Sequence, residues 1–365
     1  MDEGGLSRRG FLTLAAGTAL ASALPAGLAG CAEGEDEAGS SEAADGGSGS
    51  SSSSGSSDED VATEAISLFL FDTYIDIEAA CSAELLAEVS DRLEYFEETF
   101  SRTIEGSDIW NINEAAGKPV EVSEETADII RLSIEYSEES DGLFDISIGA
   151  ASTLWDFDEG TKPDDDELAE AVSHIDYRCI SVDGTTVTLS DPDAKLDLGG
   201  IAKGYITDDI VAMLREGGCE QAVITLGGNV YVMGASFDGD EWSVGIQDPN
   251  GERDDTVASR KTTDLSVVTS GLYERCFEED GVLYYHILDP KTGYPAETDL
   301  ESSSIVCEES TAADAYATIL FLEGHDAAVE LVEEDERFVD GLFIDDEDRI
   351  TTVEGSSFEV HGDEA

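Results

Sequence analysis

The amino-acid sequence predicts an α+β fold, and three observations support this class. Residues 66–79 form an apolar, β-rich run that predicts either one long strand or a pair of strands. Residues 83–100 then carry apolar side chains at helical spacing. Further along the chain, strand and helix patterns alternate too irregularly for a doubly wound sheet, and no internal repeat is visible. We therefore expect strands and helices without regular βαβ units, in one large domain or two tightly joined lobes.

The later elements are predicted from capping, turn and periodicity signals. Ser123, followed by two glutamates, predicts the start of a helix over residues 123–140. Short strands at residues 179–182 and 187–189 are expected to be joined by a turn at Asp183 and Gly184. The remaining patterns predict a helix over 203–216, a strand over 222–226 and a helix over about 312–322.

Residues 1–30 have the pattern of an export signal. A twin-arginine motif at Arg8 and Arg9 precedes a small-residue apolar run that ends in the sequence Leu-Ala-Gly-Cys at Cys31. This pattern predicts export by the Tat pathway, cleavage before Cys31 and a lipid anchor on the outer face of the cell membrane. A transmembrane anchor is the alternative, but the Ala and Gly content of the run and its terminal cysteine favour a lipoprotein.

Residues 31–60 consist mostly of Gly, Ser, Asp and Glu, with almost no apolar side chain. Such a segment cannot bury enough surface to offset the entropy lost on ordering, so it predicts a disordered tether. Residues 61–365 are then the predicted folded domain.

The charge of the chain is strongly acidic. It has 18 basic and 85 acidic residues and a net charge of −67. This charge excludes nucleic acid as a partner. It favours a salt-rich environment and a halophilic host, because the screening length falls to about 3 Å at 1 M salt.

Five cysteines follow Cys31, and they are widely scattered. Since no Cys-x-x-Cys or His-linked spacing occurs, neither a zinc site nor a disulfide framework is indicated. We expect most of them to be small buried hydrophobic residues, and one disulfide stays open.

His286 lies in an apolar run, residues 282–288, that breaks into a Gly- and Pro-containing turn at Asp289. A histidine at a strand exit stands where catalytic groups are commonly presented. An incidental histidine on a surface hairpin is the alternative for this residue taken alone.

Lys203 follows the glycine-rich sequence Asp197-Leu-Gly-Gly200 at the start of a predicted helix. Glycines before a helix let backbone amides approach an anion, and the helix N-terminus favours negative charge. A tight strand-to-helix turn would give the same pattern. The retention of a lysine here, in a chain with 18 basic residues, favours phosphate binding.

Asp314 and Thr318 are four residues apart and would share one face of the predicted helix. A carboxylate and a hydroxyl on an otherwise Ala- and Leu-rich helix could bind Mg²⁺ when a phosphate supplies further ligands. The alternative is an aspartate that caps the helix with a threonine bonded to the helix backbone.

Taken together, these segments resemble the ApbE family of FAD:protein FMN transferases. The resemblance runs from about residue 68 to residue 324 in the family's order. The matching segments are FDTY, FSRT…NIN, GLFDISIG…LW, LDLGGIAKGY, TLGGN, VGIQDP, TSGLYER, HILDPKTGYP and ADAYAT. It implies a fold related to the T-fold, with mixed, largely antiparallel sheets flanked by helices, and makes residues 61–365 the catalytic domain.

The resemblance also implies a reaction, in which FMN is moved from FAD to a Thr or Ser hydroxyl of an acceptor flavoprotein with Mg²⁺, and AMP is released. His286 matches the family histidine proposed to activate the hydroxyl, and Lys203 matches a catalytic and nucleotide-binding lysine. The other implied flavin-nucleotide contacts are Leu143, Phe144, Asp145, Asp197 and Leu288, with Phe71 and Thr103 at positions where the chain departs from the family. The implied metal site consists of Asp314, Thr318, Ala317 and the carbonyl of Gly200.

The departures at Phe71 and Thr103 concern the adenine side of the site, where the family usually has Met-Gly-Thr and an aromatic residue. They leave two alternatives open: a pyrophosphatase that splits FAD into FMN and AMP, and a lipid-anchored flavin-binding protein without turnover. Export would make the acceptor a flavin-carrying subunit of an exported redox complex.

Overall fold

Eight antiparallel strands form the central sheet of the protein. The computed structural model describes residues 62–252 and 254–362, so the predicted signal, the tether and Cys31 lie outside the described residues. The strands are β1 (Thr63–Leu70), β2 (Thr73–Ala80), β3 (Val120–Glu121), β4 (Ile180–Asp183), β5 (Thr186–Leu189), β6 (Ala222–Leu226), β7 (Asn229–Met233), β8 (Trp242–Gln247), β9 (Thr256–Thr262), β10 (Leu265–Gly271), β11 (Cys276–Glu279), β12 (Val282–Tyr285), β13 (Leu300–Cys307), β14 (Phe338–Asp345), β15 (Ile350–Thr352) and β16 (Phe358–Val360). The helices are α1 (Ala83–Phe100), α2 (Asp108–Glu114), α3 (Glu124–Glu139), α4 (Gly149–Ser152), α5 (Asp165–Val172), α6 (Ala202–Glu216), α7 (Ser310–Glu323) and α8 (His325–Glu334), with a short 3-10 turn at Tyr177–Cys179.

The central sheet has the strand order β1-β2-β6-β7-β10-β13-β14-β15. Three smaller sheets have the orders β16-β9-β8, β3-β5-β4 and β11-β12, and every paired strand in all four sheets is antiparallel. The α+β class with largely antiparallel sheets is confirmed. Within the described residues, no helix is both long enough and apolar enough to cross a membrane.

Helix α7 is the most deeply buried helix, and it packs against β10 and β13 and against α6. Its sequence is apolar on nearly every face, as expected for a helix with protein on all sides. Gly204 makes the contact with α6 close, because a Cβ at this position would lie 2.3 Å from the Ser310 carbonyl oxygen and 2.8 Å from the Asp314 Cβ. The glycine therefore fixes the distance between the two helices that carry Lys203 and Asp314.

The run at residues 66–79 forms a pair of strands, β1 and β2. Leu70 pairs with Thr73, so Phe71 and Asp72 are the two turn residues. Their φ angles of 54° and 57° belong to the left-handed region that tight hairpin turns require. Glu97 on α1 accepts a hydrogen bond from the Phe71 amide at 2.8 Å, which holds this turn against the helix.

The predicted helices agree with the structure, and one turn does not. Helix α1 spans the predicted residues, and the Ser123 side chain caps α3 by accepting from the Thr126 amide. The β4–β5 turn was predicted one residue too early. Asp183 pairs with Thr186, so the turn residues are Gly184 and Thr185. The Val182–Val187 pair sets this register, and it overrides the Asp-Gly preference of isolated turns.

A buried ion pair connects the β16-β9-β8 sheet to the central sheet. Arg260 on β9 donates from Nε to Asp340 on β14 at 2.9 Å, and the two side chains are 8% and 1% exposed. Asp340 also accepts from the Ser357 amide at 2.8 Å. Both charged groups thus have partners away from water, as buried charges require.

The five cysteines in the described residues are free. Cys81, Cys219 and Cys307 are buried, in agreement with the prediction, while Cys179 and Cys276 are partly exposed. The open possibility of one disulfide is not realised in this structure.

Candidate active site

A cavity of about 970 Å³ contains most of the predicted site residues. Its walls include the β1–β2 turn, β8, the segment before α6, and the chain on either side of the β11–β12 hairpin. Within the residues that the structure describes, three basic side chains line it, Arg102, Lys203 and Arg275, against six acidic ones. The whole chain has 18 basic and 85 acidic residues, so cations are concentrated at this cavity. A cavity of this volume can hold a ligand of dinucleotide size, and its cations are the groups that could bind an anionic part of such a ligand.

Lys203 and Asp314 form the charged centre of the cavity. The Lys203 ammonium lies 3.2 Å from Asp314 Oδ1 and donates to the Gly199 carbonyl at 3.1 Å. Asp314 is 3% exposed, and its Oδ2 also accepts from the Gly204 amide at 3.0 Å. The first turn of α6 therefore holds both the lysine and the carboxylate in place.

Asp314, Thr318 and Gly200 form a set of oxygen donors that fits Mg²⁺. Asp314 and Thr318 lie one turn apart on α7, and both line the cavity. A Cβ on Gly200 would lie 3.7 Å from the Thr318 hydroxyl, so the Gly200 backbone borders this hydroxyl. A carboxylate, a hydroxyl and a backbone carbonyl are hard oxygen ligands of the kind that Mg²⁺ prefers.

Asp197 is held by residues from three other segments. The Ser152 hydroxyl donates to Asp197 Oδ2 at 2.6 Å, and the Arg102 guanidinium lies 3.2 Å from the same oxygen. The backbone beside it is fixed by Asn113, whose side chain donates to the Leu196 carbonyl at 2.9 Å and accepts from the Leu196 amide at 2.6 Å. Asp197 is consequently a rigid, partly neutralised carboxylate on the cavity wall.

His286 directly follows β12 and lines the cavity, so its predicted position at a strand exit is confirmed. Its backbone amide donates to the Arg275 carbonyl at 3.1 Å. His286 is exposed by accessible surface, and this surface belongs to the lining of the cavity, where neighbouring protein atoms still displace part of the surrounding water. Desolvation first, and then the positive charges of Lys203 and Arg275, lower the pKa of His286 to about 4, while Asp197 acts weakly in the other direction. The direction of this shift makes the imidazole neutral at pH 7 and able to accept a proton.

The segment from Leu143 to Asp145 lines the cavity next to Gly200. A Cβ on Gly200 would lie 3.1 Å from the Phe144 ring, which places this ring against the glycine. Asp145 accepts from the Ser147 amide at 2.8 Å and the Tyr177 amide at 2.8 Å, so its carboxylate holds its own loop. Burial raises the pKa of Asp145, and these hydrogen bonds act in the opposite direction.

Phe71 and Leu288 also line the cavity, whereas Thr103 and Ala317 do not. Thr103 is exposed, and its amide donates to the Ser101 hydroxyl at 3.2 Å, so this turn directs it away while the adjacent Arg102 reaches the cavity. Ala317 is fully buried within α7, and the helix presents Thr318 to the cavity in its place.

The sequence prediction missed Arg102, Ser152, Asn113 and Arg275. Lys203 was singled out because basic residues are rare in this chain. The same argument applies to Arg102 and Arg275 and could have identified them. Asn113 was noted only as part of the matching NIN segment, and Ser152 was not noted at all; the roles of both depend on partners 83 and 45 residues away along the chain.

A second group of ionisable residues lies outside the cavity. His174, Asp191 and Asp193 have nitrogen and oxygen atoms within 4.8 Å of one another. His174 Nδ1 bonds Asp191 Oδ2 at 2.9 Å, and this hydrogen bond raises the pKa of His174. The ion pair accounts for the arrangement.

Known proteins resemble this chain in sequence. The model of the ApbE family matches residues 71–343. A protein of Treponema pallidum named FAD:protein FMN transferase is 38% identical over 289 residues, which are 74% of this chain and 79% of that protein. A protein of the same name from Klebsiella pneumoniae is 35% identical over 65% of this chain and 75% of its own length.

Solved structures resemble the fold as well. The ApbE protein of Thermotoga maritima superposes with a TM-score of 0.73 at 31% identity, over 80% of this chain and 97% of that one. The flavin transferase ApbE of Vibrio cholerae gives a TM-score of 0.69 at 25% identity, over 80% and 97%. The similarity thus covers nearly the full length of each of the two solved structures and four fifths of this chain.

Proposed function

The chain belongs to the ApbE family, and we propose that it is an FAD:protein FMN transferase that moves FMN from FAD to a Thr or Ser hydroxyl of an acceptor protein. The arrangement of His286, Lys203, Asp314 and Thr318 around one cavity carries this proposal. A neutral base, a cation and a set of oxygen ligands are what a hydroxyl needs in order to attack a diphosphate.

In the proposed reaction the acceptor hydroxyl oxygen attacks the phosphorus on the FMN side of the FAD diphosphate. A new phosphoester bond forms, the bond from this phosphorus to the bridging oxygen breaks, and AMP leaves with that oxygen. His286 takes the hydroxyl proton, which its lowered pKa permits because the ring is neutral before substrate binds. The negative charge of the bound diphosphate then strengthens His286 as a base.

Lys203 lies where it can stabilise negative charge on the diphosphate, and the α6 N-terminus adds to its effect. Asp314, Thr318 and the Gly200 carbonyl would hold Mg²⁺, which polarises phosphoryl oxygens when bound. The close contact between α6 and α7 keeps the Lys203 ammonium at a fixed position relative to Asp314 and Thr318.

A pyrophosphatase that releases free FMN and AMP is the second candidate function. One observation favours it: Thr103, which stands where the family usually has an aromatic residue, lies outside the cavity lining. If the adenine end is held less firmly, water could compete with the acceptor hydroxyl. A flavin-binding protein without turnover would need neither His286 nor the oxygen ligands at Asp314 and Thr318.

Mass spectrometry tests the proposed function. The purified chain is incubated with FAD, Mg²⁺ and a candidate acceptor domain at high salt, and the acceptor mass and the released AMP are measured. We expect one FMN on the acceptor for each AMP released. AMP and FMN in solution with an unmodified acceptor would indicate the pyrophosphatase.

Two variants and one control sharpen this test. His286→Ala should abolish transfer while FAD still binds, and Asp314→Ala should abolish the response to Mg²⁺. His361→Ala is the matched control, because this histidine lies outside the cavity and bonds Ser259 at 3.1 Å. Loss of FAD binding alone in the His286 variant, with no turnover in the parent chain, would support the binding protein.

We also propose the setting in which this reaction takes place. The twin-arginine motif and Cys31 support Tat export and a lipid anchor on the outer face of the cell membrane. The acceptor is then a flavoprotein subunit of an exported redox complex. The net charge of −67 supports a halophilic host.

A further inference from the structure

Arg275 is a cation of the cavity to which the proposed reaction gives no role. Its side chain lines the cavity and is 38% exposed. Its ion-pair partners in the described part of the chain are Asp72, at 3.6 Å, and Asp158, at 3.8 Å. Those carboxylates are 75% and 83% exposed, so water screens both pairs.

The other two cavity cations are held more closely. Lys203 lies 3.2 Å from the buried Asp314, and Arg102 lies 3.2 Å from Asp197. The Arg275 contacts exceed hydrogen-bonding distance, so redirecting its guanidinium to an anion in the cavity gives up little. Among the three cations that line the cavity within residues 62–252 and 254–362, Arg275 is the one available to a ligand without breaking a close ion pair.

The hairpin register places Arg275 beside His286. Cys276 pairs with Tyr285 at the end of the β11–β12 ladder, and the His286 amide donates to the Arg275 carbonyl, which extends the pairing by one residue. Directly opposite residues of an antiparallel pair have their side chains on the same face, with Cβ atoms about 5 Å apart. Both side chains line the cavity, in agreement with this geometry.

We propose that Arg275 is a catalytic residue that binds the transferred phosphate next to His286 while the acceptor hydroxyl attacks. This role rests on the proposed function. A guanidinium can donate two parallel hydrogen bonds to a phosphate, which fixes the orientation of the phosphorus toward the attacking oxygen. Its place opposite His286 brings the base and the phosphate-binding group to the same reacting atoms.

The chemistry distinguishes Arg275 from Lys203. Lys203 is fixed to the metal-ligand side of the cavity by Asp314 and Gly199, whereas Arg275 comes from the hairpin that carries the base. The phosphate would thus be held from two sides, by an ammonium on the α6 side and a guanidinium on the β11–β12 side. Such a pair stabilises charge that spreads over the phosphate oxygens during transfer.

Arg275→Gln, Arg275→Lys and the control Arg178→Gln test the proposal in the full chain. Arg178 is 68% exposed and pairs with Asp176 outside the cavity. FMN on the acceptor, AMP release, FAD affinity and the thermal midpoint are measured for each. We expect Arg275→Gln to lower kcat by about 10²-fold, since removal of a single transition-state donor has effects of this size. The lysine variant should recover part of this loss, and the control should match the parent chain.

The pH dependence gives a readout that a structural role would not move. The charged groups facing His286 are Lys203 on α6, Arg275 across the hairpin and Asp197 before α6. Removing the Arg275 charge should move the acid limb of the kcat/KM profile toward higher pH, and the lysine variant should move it back.

Three results decide the matter. A lower kcat with a shifted acid limb in Arg275→Gln and partial recovery in Arg275→Lys supports the role. An unchanged kcat in the glutamine variant, or equal losses in both variants with an unmoved acid limb, overturns it. A parent chain that never labels an acceptor refutes the proposed transferase, and this failure is seen before any Arg275 variant is compared.

Discussion

Adding one methyl group at Gly204 should separate the two helices that build the charged centre of the cavity. A Cβ at this position would lie 2.3 Å from the Ser310 carbonyl oxygen, which belongs to the backbone and cannot rotate away. Helix α6 must therefore move from α7 by roughly 1 Å, the difference from an ordinary contact. The hydrogen bond from the Gly204 amide to Asp314, now 3.0 Å, would be lost in this movement.

The magnitude follows from three contributions. Overpacking of a close contact costs about 1–3 kcal/mol, and loss of a hydrogen bond to a charged group costs about 1.5–3 kcal/mol. The higher helix propensity of alanine returns about 1 kcal/mol. We expect Gly204→Ala to lower the free energy of unfolding by about 1.5–5 kcal/mol and the thermal midpoint by roughly 2–8 °C, because the unfolding entropy of about 300 residues is large. Transfer should fall by about 10²-fold, because a misplacement of 1 Å in a catalytic site has effects of this size.

Differential scanning calorimetry and the FMN transfer assay measure the two effects, and Gly217→Ala, at the C-cap of α6, is the control. The atoms nearest to its Cβ would belong to the Leu85 side chain, the first at 2.4 Å, and the end of a leucine can change rotamer. We expect the control to keep its transfer rate within about twofold, since the Leu85 end accommodates the methyl group. A Gly204 variant with the parent midpoint and rate would refute the reasoning, and so would a Gly217 variant that is equally damaged.

Three further predictions concern the support of Asp197, the charge of the chain and the His174 ion pair. Asn113→Ala should raise the KM for FAD and lower the free energy of unfolding by about 2 kcal/mol, because the amide and the carbonyl of Leu196 both lose their hydrogen-bond partner. Asn111→Ala is the control: it removes a side-chain hydrogen bond to the Gly106 carbonyl and should have little effect in the same kinetic and denaturation assays. FAD affinity, measured by equilibrium dialysis, should rise steeply with Mg²⁺ and salt because the net charge of −67 repels a diphosphate, and a flat response from low to high salt would count against this account. Protonated His174 donates a hydrogen bond to the Asp191 carboxylate, which raises the pKa of His174 above its ordinary 6.5, so the stability that this bond contributes is complete below that pH and is lost as pH rises through the folded pKa. Urea denaturation should therefore show Asp191→Asn to be more destabilising at pH 5.5 than at pH 8.5, and an equal effect at both would contradict the assignment.

The elements with local signals were predictable from the sequence. The cap at Ser123 and the helical spacing over α1 depend on neighbouring residues, and both predictions agree with the structure. His286 was placed at a strand exit by the end of an apolar run, and Lys203 was found through the scarcity of cations in an acidic chain. In each case the physical cause lies within a few residues of the feature.

Features that depend on pairing between distant segments were not predictable. The position of Arg275 opposite His286 requires the register of the β11–β12 hairpin, which no local pattern gives. The turn at Gly184 was displaced by one residue for the same reason, because the Val182–Val187 pair decides it. Thr103 was assigned by resemblance alone, and the turn that its amide makes with Ser101 directs it away from the cavity.

The buried contact between Arg260 and Asp340 supports one wall of the cavity through an ion pair that dissolved ions do not screen. Val244 on β8, which lines the cavity, pairs with Arg260 on β9, and Asp340 belongs to the central sheet. Dissolved ions screen exposed charges, but they do not reach a pair whose members are 8% and 1% exposed. We therefore expect a salt titration to change the electric field that a ligand meets while this part of the cavity wall stays in place. In so acidic a protein, an ion pair withdrawn from solvent holds its two sheets together at any salt concentration, whereas the many exposed charges respond to the medium.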